Sequence, residues 1–169
     1  MDYQLTDKAL PENLPAWGVL VLESHHSPTF AMNWRTHEFV KIVYVWKGRG
    51  EFHIGDSIRE FHANDVIIIP PHTRNRIVDD ASEAASLYVC CIATELLAFE
   101  SCLIQSLKVR LEHHRHGFTN RVTSLLRRLI HSQQKPTSTQ SISMVADALR
   151  LLQLLLELES RPQITQQPD

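Results

Sequence analysis

The chain has 169 residues, with 17 Lys+Arg against 19 Asp+Glu and a formal net charge of −2. Hydrophobic residues make up 43% and charged residues 21%, ordinary proportions for one globular domain or one domain with a helical appendage. No apolar run reaches the ~20 residues of a membrane helix, no signal peptide is visible, and the near-neutral charge does not suit a chain that grips DNA mainly by electrostatics.

The first half alternates short β-like runs with turns. Trp17 to Glu23 is apolar and β-branched, and Ser24-His25-His26-Ser27-Pro28 is expected to break it as a polar loop. Phe39 to Trp46 (FVKIVYVW) is the strongest strand signal, and Gly48-Arg49-Gly50 turns it into a hairpin with Glu51 to Ile54. Gly55-Asp56 turns again before Ser57 to His62. Val66-Ile67-Ile68-Ile69 reads as a fully buried strand stopped by Pro70-Pro71. Arg76 to Val78 and Ser86 to Ile92 complete the set. Short strands at ~8–12-residue spacing suggest a sandwich or barrel.

The period changes near Thr94. Leu96, Leu103, Ile104, Leu107 and Leu111 fall on one helical face, and His113-His114-Arg115-His116 followed by Gly117 reads as the end of that helix. Val122, Leu125, Leu126, Leu129 and Ile130 mark a second amphipathic helix. Gln133 to Gln140 reads as a loop. A third helix is expected from about Ser141 to Ser160, with Asp147, Arg150, Gln153 and Glu157 as a narrow polar stripe. Leucines cover its other sides, which calls for burial on most of them. One side is expected to meet a second copy of the chain, through Leu149, Leu152, Leu155 and Leu156. Arg161 to Asp169 reads as a polar linker or free end.

Charge divides at the same place. Residues 1–94 hold 8 Lys+Arg against 12 Asp+Glu, and the remainder hold 9 against 7. Cys90 and Cys91 would point to opposite faces of a strand, and with Cys102 they make an odd count that is no disulfide framework. They read as small buried hydrophobes in a reducing cytoplasm.

From Thr36 onward, H-E-F-V-K-I-V-Y-V-W-K-G-R-G-E-F-H-I-G-D and then A-N-D-V-I-I-I-P-P-H-T-R-N-R resemble the small cupin barrel. More narrowly they resemble the N-terminal sensor domain of AraC-type transcriptional regulators, in which such a strand precedes a G-D-[VIL]-x-[LI]-I-P-P-G-x-x-H-type turn. The resemblance covers roughly residues 17–160. It implies a mainly β fold, a cupin-like double-stranded β-helix over residues 1–93, and a helical dimerisation region over 94–160, with 161–169 as linker. It also implies a small-molecule effector, a homodimer, and DNA contact only through a C-terminal helix-turn-helix module outside this sequence. Metal-binding cupins carry H-x-H-x₃-E and a later His. Here the corresponding residues are Arg35, His37, Lys41 and Asn75, so only His37 is a ligand of the expected type. Arg and Lys repel a cation, so neither metal nor other cofactor, and no enzyme activity, is expected.

With strand periodicity, Arg35, His37, Lys41 and Val43 share one face. If that face lines the barrel, two cations, a His and the amide of Asn75 suit a polar or anionic metabolite such as a sugar or sugar acid. His72 and, by stacking, Trp34 are further candidate contacts. The competing reading has Arg35 and Lys41 in structural ion pairs with acids such as Glu38, Glu51 or Asp65. The functional rival is a stand-alone cupin enzyme, an isomerase or oxygenase acting on a small acid.

Overall fold

The computed structural model describes residues 3–113, 117–135 and 137–157. Nine strands occur among them: β1 (Leu5–Lys8), β2 (Val19–Ala31), β3 (Val40–Lys47), β4 (Gly50–Ile54), β5 (Ser57–Phe61), β6 (Val66–Ile69), β7 (Asn75–Asp79), β8 (Ser86–Ile92) and β9 (Arg110–Glu112). A 3₁₀ turn (Thr94–Leu97), α1 (Ser101–Ser106), α2 (Phe118–Gln134) and α3 (Gln140–Glu157) complete the described elements.

Six strands form one sheet in the order β1-β2-β8-β3-β6-β9, and β5-β4-β7 form a second. The larger sheet is buried on both faces, which explains why β3, β6 and β8 read as continuous apolar runs. Val43, Val45, Ile67, Leu87 and Cys91 face the smaller sheet and meet Phe52, Ile54, Phe61 and Ile77. Ile42, Tyr44, Ile68 and Cys90 face the other way, onto Leu126 and Leu129 of α2 and Leu151 and Leu155 of α3. The fold is therefore a cupin-like barrel backed by C-terminal helices, as the family resemblance implies. Gly48 makes the β3–β4 turn at φ +89°, where a Cβ would come within 2.6 Å of the Ala84 carbonyl oxygen.

Three local expectations change. β2 does not stop at Glu23 but runs through Ser24, His25 and His26 to Ala31. Its imidazoles are buried because each has a partner: His25 meets Ser86 Oγ at 2.9 Å and Glu23 Oε1 at 2.8 Å, and His26 Nδ1 meets Asp79 at 2.8 Å. Pro28 falls where the β1–β2 register shifts, between the partners of Thr6 and Lys8, so no ladder donor is required of it. The long helix expected after Thr94 is instead a 3₁₀ turn, six residues of α1 and then β9, which pairs with the exposed edge of β6. Gly117, at φ +86°, precedes α2 rather than closing a helix. His114, Arg115 and His116 lie outside the described residues.

α3 follows its expected bounds through Glu157, and residues 158–169 lie outside the described set. Its polar stripe is not wholly solvated: Asp147 is buried against α2 and pairs with Arg128 at 3.0 Å. Arg150, Gln153 and Glu157 remain exposed and bond to one another. Leu152 and Leu155, 2% and 1% exposed, are absorbed by the chain's own core, whereas Leu149 and Leu156 are half-buried.

Candidate functional site

The barrel mouth is built by two segments zipped together. Arg35 and Asn75 exchange backbone hydrogen bonds of 3.0 and 2.9 Å, and His72 N–H donates to the His37 carbonyl at 2.7 Å. The double proline before His72 stops β6, and His72 itself turns the chain at φ 61°. The Asn75 amide donates to the Thr73 carbonyl at 2.9 Å and is buried in this turn. β3 begins only at Val40, so Arg35 and His37 reach the mouth from the preceding segment rather than along a strand.

Lys41 is the first barrel-facing side chain of β3 and is 2% exposed. Its ammonium ion-pairs with Glu12, and Arg35 Nη1 lies 3.4 Å from the second oxygen of the same carboxylate. Arg35 also donates to the Leu10 carbonyl at 3.2 Å. Two cations therefore converge on one carboxylate carried by the N-terminal segment. None of the acids the sequence offered fills this place. Glu38 is exposed, Glu51 bonds His53 at 2.7 Å, and Asp65 accepts from the His62 N–H at 2.8 Å and lies 3.1 Å from His113 Nδ1.

His37 is 6% exposed, and its Nδ1–H donates to the Phe39 carbonyl at 2.8 Å. That bond fixes the tautomer and leaves Nε2 as a bare acceptor. Nε2 is buried without a hydrogen-bond partner in this structure. Burial, and secondly the charge of Lys41, hold the imidazole below the ordinary value of 6.5. A neutral ring with a buried lone pair is a receptor for a donor hydrogen.

Of the six predicted contact residues, Arg35, His37, Lys41 and Asn75 meet at the mouth. His72 is exposed. Trp34 lies outside the barrel, its ring centre 4.1 Å from the guanidinium carbon of Arg74 and 4.9 Å from that of Arg76, and near His53. His53 and Arg76 alternate with the inward-facing Phe52, Ile54 and Ile77 along β4 and β7, which puts the Trp34 ring on the outer face of the small sheet. Sequence reasoning missed Glu12, which sits in no patterned element; His26, expected in a polar loop at the barrel mouth, instead lines the barrel cavity from β2, stacked on Phe30 at 3.4 Å.

Among the described residues no three of His, Cys, Asp and Glu converge in a way that could hold a metal ion. No described helix is long and apolar enough to cross a membrane. A further concavity of about 640 Å³ lies elsewhere, along α2 between Asn120 and Ser132. It is an open polar furrow whose acid, Asp147, already pairs with Arg128, and it lacks the apolar walls of a small-molecule site.

The family model described as the AraC-like ligand binding domain matches residues 18–159. No curated protein sequence matches the chain. Among solved structures, the AraC-like transcriptional activator CuxR superposes with a TM-score of 0.58 at 10% identity, over 91% of this chain and 56% of that one. An apo ToxT variant from Vibrio cholerae superposes with a TM-score of 0.55 at 11% identity, over 94% of this chain and 62% of that one. A cupin protein from Bacteroides fragilis gives 0.40 at 18% identity, over 45% of this chain and 66% of that one. The chain thus spans less than two thirds of the length of each of these.

Proposed function

The chain belongs to the AraC-like ligand-binding domain family, and we propose that it is the effector-sensing and dimerisation part of a cytoplasmic AraC-type transcriptional regulator, not an enzyme. The effector is a sugar acid or similar polar metabolite held in the barrel. One observation carries this reading: Arg35 and Lys41 converge on a single carboxylate beside the unpartnered Nε2 of His37. Cations placed for a carboxylate, with an acceptor for a hydroxyl beside them, are the recognition chemistry of a hydroxylated acid. Asn75 positions Arg35 and closes the turn. DNA is read by a C-terminal module, and effector binding acts on it by favouring one packing of barrel and helices over another.

Dimerisation is assigned to α3. Ile142, Val145, Leu149 and Leu156 recur at heptad spacing on its partly exposed side, with Ile142 69% exposed. The test of the sensor role is a thermal-shift screen with sugars and sugar acids. A saturable rise in Tm with one compound, lost in Lys41→Met, supports it; unchanged melting with every compound overturns it. A transition metal retained by the purified protein through His37 and His72 would favour a stand-alone cupin enzyme instead.

A further inference from the structure

The space the effector would enter is already taken. Between the sheets remains a cavity of about 30 Å³, walled by Ala9, Leu10 and Glu12 on one side and by Lys41, Ile77 and Val89 on the other. Small-molecule sites generally enclose about 300–1,000 Å³, so part of this wall has to leave before a metabolite can bind. Lys41 and Val89 belong to β3 and β8, each hydrogen-bonded between two neighbouring strands. Residues 9–16 form no strand. They are held by the Arg35 bond to the Leu10 carbonyl, by the Glu12 ion pairs and by the apolar contacts of Ala9 and Leu14. The N-terminal segment is the part of the wall whose removal breaks the fewest bonds.

We infer that Glu12 is an internal stand-in for the effector. Its carboxylate occupies the place of the effector's carboxylate, and binding proceeds by exchange, with residues 9–14 leaving as the acid enters. This inference rests on the reading of the barrel as the effector site and narrows its ligand class. An entering carboxylate restores the charge balance around Lys41 and Arg35. A neutral sugar that expelled Glu12 would leave Lys41 buried and unpaired, a large penalty. The exchange also accounts for His37. Glu12 has no hydrogen to give to Nε2, whereas a hydroxyl next to the entering carboxylate does. A purely structural Glu12–Lys41 pair explains the filled barrel but leaves that buried acceptor without a reason.

The test uses the full chain with Glu12→Ala, Glu12→Gln and two probes, acetate and the 2-hydroxy acid glycolate, against chloride at matched ionic strength. Thermal midpoints are followed by circular dichroism, which also verifies the fold. In Glu12→Ala, acetate raises the midpoint saturably and glycolate raises it further. The unsubstituted chain requires at least tenfold more of either. Glu12→Gln keeps the side-chain shape and responds in the same direction, so a failure of the alanine variant to fold does not remove the test. Acetate acting no better than chloride on a folded variant overturns the inference. So does an equal response of variant and unsubstituted chain. Sugar acids that stabilise both at the same concentration would overturn the exchange while leaving the barrel as effector site; no response of either chain to any acid overturns both.

Discussion

Gln133 of α2 holds Val21 of β2 as a neighbouring strand would. The Val21 N–H donates to Oε1 at 2.9 Å, and Nε2 donates to the Val21 carbonyl at 2.6 Å. β1 covers β2 only from His25 onward, so this stretch would otherwise keep bare backbone groups beside the helix. Gln133→Ala is expected to cost about 1–3 kcal/mol, since one buried donor and one acceptor lose their partners. Urea unfolding measures the loss, and faster exchange of the Val21 amide locates it.

The Glu12–Lys41 pair is asymmetric. Lys41 is embedded in β3, whereas Glu12 rides on a segment without strand bonds. Lys41→Met leaves a carboxylate that can swing into water. Glu12→Leu leaves an ammonium with nowhere to go, and is expected to cost about 3–5 kcal/mol. Lys41→Met is expected to cost distinctly less, and the double variant less than the sum of the two. Equilibrium denaturation of all four proteins checks the order.

His37 gives the acid limb of stability a definite sign. Its folded value lies below 6.5, so the unfolded chain takes up the proton first as pH falls. The contribution of the neutral ring is complete above about pH 6.5 and is lost as pH drops from there through the lower folded value. His37→Gln, which does not titrate, is expected to show a flatter decline in denaturation midpoint between pH 7.5 and 5 than the unsubstituted chain. An identical decline in both would remove His37 from the acid response.

Cysteine reactivity reports the two-faced sheet. Burial pushes the Cys90 thiol up to about 12 and the Cys91 thiol well above its ordinary value, while Cys102 is exposed. A thiol reagent is expected to label Cys102 alone in the native chain, and all three after denaturation.

On α3, Leu149→Asp and Leu156→Asp place a charge at half-buried positions, and both variants are expected to stay folded and become monomeric. Leu152→Asp puts the charge into the core and is expected to unfold the chain. Sedimentation of the folded variants decides the assignment; dimers at both positions would reject it.

The legibility of this chain followed the range of the forces involved. Ser86 to Ile92 and Val66 to Ile69 were readable to the residue, because strands buried on both faces must be apolar throughout. β2 was cut short in the sequence reading because Ser24, His25 and His26 look solvent-seeking. Beyond the neighbouring Glu23, the partners of the two histidines, Ser86 and Asp79, lie more than fifty residues away, and no local pattern announces them. The leucines after Thr94 have helical spacing, but the open edge of β6 claims Arg110 to Glu112 for a strand. At the site, the cation-bearing positions were legible from the motif. Glu12 was not, since a lone acid in an unpatterned stretch carries no periodicity.

The six-stranded sheet has a geometric corollary. Lys41 faces the ion pair in the barrel, and Ile42, its immediate neighbour in β3, faces the helices. Cys91 and Cys90 repeat the arrangement in β8. The barrel ion pair and the helix-packed core thus lie on the two sides of a single sheet of backbone, one residue apart. Any shift of the β3 backbone at Lys41 would therefore be felt directly where Ile42 and Tyr44 meet α2 and α3, with no relay of side chains between.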